Sequence, residues 1–442
     1  MSEKIMKKSR TLITALLGTV MVVALALSGC GTSSYDAPVA PQPAAALTTA
    51  SQDSLATAAD VKGWIDSGLI NNGSISKIAP KSVGAATDAA AQKLVILTVA
   101  DPASYLAGHI PGAQLMNSGT ELNKTRLEGV AQIGTQVIDG PMIDAIIKRS
   151  GIDANSTIVF TVNKGANFLN AARAYYIFRY WGFPKDRLKI LNGGDNAWED
   201  AGYSLTRVAP IITASNYSVK NNRNNFQLRS SIGEMIALVD KINLGVVQTG
   251  ATGVSILDVR GGAPTVYIAN AQVDDYAQYS NVIAGKTSTY KDNAALMARL
   301  ATFGVTAQKT MNYLYCASGT RASSTFFLLD GILGWPVTLY DGSWNQWSAY
   351  YLNTTTAANN LPAASPWRVD INTPGTALPR TNGTMVTTGT TAMTLDPVAN
   401  AMYSITDPRS NQMKIEDLLY ITPVVTTAPV IPSGGGSAGG GC

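Results

Sequence analysis

A pattern that occurs twice constrains this chain most. Leu94 to Val99 (LVILTV) and Thr157 to Val162 (TIVFTV) are continuous, largely apolar runs of strand length, and Leu188 to Leu191 is a third, shorter run interrupted only by Lys189. A continuous run, as opposed to an alternating one, marks a strand buried on both faces. Ala171 to Trp181 (AARAYYIFRYW), helical in period, stands between the second and third runs. Strands alternating with helices of about ten residues make a mainly parallel sheet flanked by helices. The same order recurs downstream as Val254 to Val259 (VSILDV), Met311 to Tyr315 (MNYLY), a helix expected over Ala322 to Leu333, and Val337 to Tyr340. The third run of the first copy ends in Asn192-Gly193-Gly194 with Trp198 beyond it, and its counterpart ends in Asp341-Gly342-Ser343-Trp344. The expected fold is α/β, with two tandem copies of one domain.

The first copy is expected over residues 61–206, opening on a helix with Trp64, Ile65 and Leu69, and the second over 226–352. Residues 207–225, with Asn221-Asn222-Arg223-Asn224-Asn225, form a polar linker. Residues 30–60 are rich in Ala, Pro, Thr and Ser, too poor in large apolar side chains to fold, and are expected to be a disordered tether. Residues 353–442 are expected to be an irregular extension with one amphipathic stretch, Lys414 to Ile421, and a Gly/Ser-rich flexible tail ending in Cys442.

Residues 1–29 have the order of a secretory signal: Lys4, Lys7, Lys8 and Arg10, then an apolar run from Leu12 to Leu27, then small residues. That run is shorter than the ~20 residues a membrane span needs. Leu27-Ser28-Gly29-Cys30 resembles the lipobox of bacterial lipoproteins. The resemblance implies that Cys30 is diacylated on sulfur, becomes the new N-terminus and anchors the chain in the cell envelope, and Gly31 favours the outer membrane. Loss of Lys4, Lys7, Lys8, Arg10 and Glu3 leaves 29 basic and 28 acidic residues, so the net charge of +4 falls to +1. No basic patch with interleaved aromatics is present, which argues against a nucleic-acid partner. The whole chain holds 3 Cys and 1 His, too few for a disulfide scaffold, a zinc ribbon, an iron–sulfur ligand set or a c-type haem site. Neither a metal nor a cofactor is expected.

Short segments, in order along the two copies, resemble the tandem rhodanese domains of sulfurtransferases over roughly residues 60–352. In the first copy Gly108-His109-Ile110-Pro111-Gly112-Ala113 and Leu191 to Trp198 (LNGGDNAW) match the family's signatures. In the second, Cys316-Ala317-Ser318-Gly319-Thr320-Arg321 resembles the active-site loop, with Tyr340 to Trp347 (YDGSWNQW) at the expected distance. Where GHIPGA would stand in the second copy, the sequence has Asn281-Val282-Ile283-Ala284-Gly285. The first copy's matching loop, Asn163 to Asn170 (NKGANFLN), has no Cys and cannot form a persulfide. The resemblance makes His109 structural.

A thiolate is the nucleophile, and a free Cys titrates at about 8.5 unless its surroundings favour the anion. Cys316 follows a buried strand and precedes a helix, so a tight loop would turn the N–H groups of Ala317, Ser318, Gly319 and Thr320 toward sulfur, with the helix N-terminus adding partial positive charge. Gly319 supplies the positive φ such a loop needs, and Arg321 a fixed cation for an anionic substrate. By resemblance Arg260 contacts the substrate's anionic group, and Asp258 braces the loop by hydrogen bonding. Four residues separate Cys316 from Arg321, where cysteine phosphatases and arsenate reductases have five. The shorter loop favours sulfur transfer from a small anionic donor, thiosulfate or 3-mercaptopyruvate, to a thiol acceptor through a Cys316 persulfide. A second reading is a non-catalytic lipoprotein scaffold with envelope protein partners. Cys442 can relay sulfur, form an intermolecular disulfide, or do neither.

Overall fold

The computed structural model describes residues 54–72, 93–351 apart from 130, 244, 263, 265 and 266, and 408–422. The signal segment, Cys30, residues 31–53, most of the extension and Cys442 lie outside them. In the first half the elements are β1 (Leu55–Ala56), α1 (Ala58–Asp66), β2 (Lys93–Ala100), α2 (Pro102–Ala107), β3 (Gln114–Asn117), β4 (Lys124–Glu128), β5 (Ala131–Gln136), α3 (Gly140–Arg149), β6 (Ser156–Thr161), α4 (Leu169–Tyr180), β7 (Leu188–Leu191) and α5 (Gly194–Asp200). The second half has β8 (Arg229–Ser230), α6 (Ile232–Asn243), β9 (Val254–Asp258), β10 (Ala271–Val273), β11 (Ser280–Asn281), β12 (Thr289–Tyr290), α7 (Asn293–Thr302), β13 (Met311–Tyr315), α8 (Thr320–Phe327), β14 (Val337–Tyr340) and α9 (Ser343–Tyr351), and α10 (Gln412–Ile421) follows.

Each half contains one parallel five-stranded sheet. The orders are β1-β7-β6-β2-β3 and β8-β14-β13-β9-β10, so the duplication is exact in strand order as well as in sequence pattern. The continuous, largely apolar runs are the central strands: Leu94 to Ala100 in β2 and all of β6 are buried, as strands with helices on both faces must be. Helix α4 is buried on nearly every side, with Ala171, Ala174, Tyr175, Tyr176, Ile177 and Phe178 all buried, because it lies between its own sheet and the other half. Its counterpart α8 packs directly on it, Tyr175 edge-on to Phe327 at 4.7 Å and Tyr176 edge-on to Phe326 at 5.0 Å.

Two antiparallel hairpins, β4-β5 and β11-β12, leave the sheets at equivalent points and reach into the opposite half. From the first, Glu128 pairs with Arg229 at 2.8 Å, and just past it the Val137 N–H donates to Asp341. From the second, the Tyr290 N–H donates to Asn192 at 3.0 Å and the Thr287 N–H to Asn196.

Several boundaries differ from the sequence expectation. The tether and the first domain do not meet at residue 60: Leu55 and Ala56 form a buried edge strand on β7, and α1 starts at Ala58 behind a Thr57–Asp60 capping box, a local signal that outweighs an Ala- and Thr-rich composition. Residues 207–225 are laid along the first half and held there. The Ser215 N–H donates to the Lys148 carbonyl, the Ser218 hydroxyl to Asp144 and the Asn222 amide to the Trp181 carbonyl. The helix expected over Ala322 to Leu333 begins at Thr320 and changes to π-helical turns over Leu328–Leu333. The extension is not irregular throughout, since α10 docks with Met413 and Asp417 buried.

Candidate active site

Cys316 is the first residue beyond β13, fully buried, and the following turn leads into α8. The N–H groups of Gly319 and Ser318 donate to its sulfur at 3.1 and 3.4 Å. Backbone donors converging at a helix start favour negative charge on that sulfur. Gly319 has φ +85°, and a Cβ there would lie 2.5 Å from Asp341 Oδ1 and 2.8 Å from the Asp341 carbonyl, so the loop closes only with glycine. From the β14–α9 turn, Ser343, itself at φ +53°, accepts the Cys316 N–H at 3.2 Å and donates to the Tyr340 carbonyl at 2.9 Å. The N–H groups of Trp344 and Asn345 bind the carbonyls of Cys316 and Ala317, both at 2.9 Å. The thiol loop is therefore stitched to the Asp341-Gly342-Ser343-Trp344 turn along its length.

Arg260 and Arg321 flank this loop. Asp258 accepts the Arg260 N–H at 2.9 Å and its guanidinium at 2.7 Å, so Asp258 holds Arg260, and the loop bracing expected of it is done by the turn after β14. Burial raises the Asp258 carboxyl above its ordinary value and Arg260 opposes that shift. The Arg260 guanidinium lies 4.4 Å from the Trp344 ring, with Tyr315 and Tyr267 near 6 Å on its other sides at 5.9 and 6.0 Å. Arg321 donates to the Arg260 carbonyl and stacks at 5.4 Å on Tyr276. Thr320 opens α8, and Ala317 and Ser318 are half-buried in the loop.

Strand register aligns the two halves. Thr98 faces Thr161 as Asp258 faces Tyr315, which sets Val162 opposite Cys316 in the duplication. The counterpart of His109 to Ala113 is not Asn281 to Gly285, which lies in the β11–β12 hairpin. It is Tyr267 to Ala271: the Ala271 N–H closes on the Ile268 carbonyl at 3.0 Å as Ala113 closes on Ile110 at 2.9 Å, and Asn270 at φ +65° occupies the left-handed position of Gly112. An Asn tolerates that conformation, which removes the Gly that the signature relies on. His109 is buried, stacked on Tyr105 at 3.8 Å, with its ring nitrogens at 2.9 and 3.2 Å from the Tyr105 and Val208 carbonyls, a structural position.

Buried charges that sequence reasoning did not single out lie behind the loop. Asp341 accepts Arg173 from α4 at 2.6 Å and the Val137 N–H at 2.6 Å, and neither side chain of the Arg173–Asp341 pair is exposed to solvent. Arg229 is paired bidentately with Glu128 at 2.8 and 2.9 Å, and Arg126 with Asp417 of α10 at 2.8 and 2.9 Å. A polar residue in an apolar helix, Arg173 amid AARAYY, is the one sequence signal that marks this network.

A rhodanese-like domain model matches residues 82–201. "Putative thiosulfate sulfurtransferase SseA" of Mycobacterium leprae is 29% identical over 277 residues, 59% of this chain and 84% of that protein. The chain thus carries a rhodanese-like domain, and the curated relatives it resembles are named as sulfurtransferases. "Sulfur carrier protein TtuD" of Thermus thermophilus is 28% identical over 260 residues, covering 55% of this chain and 83% of that protein. Among solved structures, that of YnjE superposes with a TM-score of 0.50 at 19% identity, covering 67% of this chain and 66% of that one, a likeness of fold.

Proposed function

We propose that Cys316 carries sulfur as a persulfide between a small anionic donor and a thiol. The observation that supports this most is the buried thiol with the Gly319 and Ser318 N–H groups on its sulfur at the start of α8. With thiosulfate, the Cys316 thiolate attacks the outer sulfur and forms a new S–S bond. The S–S bond of the donor breaks, its electron pair leaves with sulfite, and the negative charge passes to the terminal persulfide sulfur, held by the loop amides. Attack of an acceptor thiolate on that sulfur then returns the Cys316 thiolate and yields an acceptor persulfide. No base is required for a sulfur that enters as the anion. Arg260 and Arg321 supply the charge that draws in and orients the anionic part of the donor; 3-mercaptopyruvate presents a carboxylate to the same pair. The names of the relatives, a thiosulfate sulfurtransferase and a sulfur carrier protein, favour this reading.

The experiment is turnover of thiosulfate by the purified chain with Cys316→Ala, combined with mass spectrometry of the donor-treated wild type. We expect loss of turnover by roughly three orders of magnitude and a gain of one sulfur atom on the peptide containing Cys316. Unchanged turnover in the variant overturns the mechanism, and absence of both turnover and the mass gain in the wild type favours the scaffold reading.

We further propose attachment to the envelope through a lipid on Cys30, supported by the Leu27-Ser28-Gly29-Cys30 sequence. Cys30→Ser is expected to release the chain from the membrane fraction.

A further inference from the structure

The two halves differ in charge at one structurally equivalent point. In each, the residue after the last central strand accepts a backbone N–H from the other half's hairpin segment: Asn192 accepts from Tyr290 at 3.0 Å, and Asp341 from Val137 at 2.6 Å. That hydrogen bond is satisfied by an amide oxygen in the thiol-less half. In the thiol-bearing half the acceptor is a carboxylate, fully buried, and a fully buried arginine from the other half is bound to it. Arg173 is fixed in turn by the carbonyls of Leu122 at 3.3 Å and Thr135 at 2.8 Å, and it reaches the Ser323 hydroxyl on α8 at 3.4 Å. Arg229 adds a second cation 3.9 Å from Asp341, itself satisfied by Glu128. Asp341 lies beside Gly319, where a Cβ would come 2.5 Å from its Oδ1, and the Gly319 N–H is the closer of the two donors on the Cys316 sulfur.

A carboxylate in that place opposes an anion on Cys316 unless it is neutralised. We propose that Arg173, contributed by the half without a thiol, is a positioning residue for Cys316: it neutralises Asp341 and holds it against Gly319, so the second half's nucleophile is tuned across the interface. This rests on Cys316 being the reacting thiol, but it can be read without turnover.

The test is the rate of Cys316 alkylation by iodoacetamide at pH 7 in the full chain, with Arg173→Met, Asp341→Asn and the double variant. Arg173→Met leaves the carboxylate unopposed and is expected to slow alkylation roughly three- to tenfold; Asp341→Asn leaves the cation unopposed and is expected to speed it by a similar factor. The double variant, neutral like the Asn192 site, is expected to return to within about twofold of the wild-type rate. A purely structural pair would loosen the loop and move all three variants in the same direction. That result, or a wild-type rate in Asp341→Asn, overturns the proposal. Should Arg173→Met fail to fold with a buried charge unpaired, the acceleration in Asp341→Asn and its reversal in the double variant decide the matter. Loss of turnover in Cys316→Ala is not needed for any of these outcomes, so failure of the sulfur-transfer reading is seen separately.

Discussion

Asp195 occupies the turn of the first half that corresponds to the one behind Cys316. It is buried, its Oδ1 accepts the Thr161 hydroxyl at 2.8 Å, and among the described residues nothing donates to its Oδ2. Burial pushes its carboxyl up to about 7, against the Thr161 hydrogen bond, with Glu199 adding to the rise and Lys164 opposing it. The folded protein therefore holds this proton where the unfolded chain has lost it. Between the ordinary carboxylate value and about 7, stability falls as pH rises, by roughly 1.4 kcal/mol per unit, and it is flat above. Thermal unfolding at pH 5 and pH 8 is expected to show a larger decrease for the wild type than for Asp195→Asn, which cannot titrate. Equal decreases would show that Asp195 does not titrate in this range.

Helix α10 shows how an element outside both sheets can hold them together. Its Asp417 accepts Arg126 and the Tyr180 hydroxyl of the first half, and its Lys414 pairs with Glu234 of the second at 2.6 Å. Asp417→Ala, with α10 still in place, would leave Arg126, whose side chain is 4% exposed, without its buried carboxylate. A loss of about 3–5 kcal/mol in urea unfolding is expected, partly recovered when Arg126→Met removes the stranded charge; an unchanged midpoint would show that α10 is not clamped by this pair. The amphipathic stretch Lys414 to Ile421 is readable as a helix in the sequence, but its docking site is not, because Arg126 and Asp417 are separated by 291 positions. The central strands and α4 were legible for the opposite reason: burial on both faces leaves a largely apolar stretch that is local in the sequence. The thiol loop was legible too, since its chemistry is carried by contiguous residues, whereas the Arg173–Asp341 pair joins positions 168 apart. The Tyr267 to Ala271 turn escaped notice because Asn270 supplies, without glycine, a backbone conformation that glycine usually signals.

At the scale of the whole molecule, the halves are not two independent domains joined by a linker. They exchange hairpins, pack α4 on α8, and share two buried charge pairs, while a third ties the first half to α10. A lone second half lacks Arg173, Glu128 and the Val137 N–H, so Asp341 and Arg229 lose their partners together. Residues 226–351 expressed alone are expected to give no cooperative thermal transition by circular dichroism, while the full chain gives one; a cooperative transition in the fragment would show that the second half is self-sufficient.

The hairpin exchange also imposes an order in time. A chain made from its N-terminus folds its early segments first, yet in this one Glu128 waits for Arg229, Arg173 for Asp341, and Arg126 for Asp417. The nascent first half thus carries these three charges without their partners, and the pairs are completed one after another as residues 229, 341 and 417 emerge.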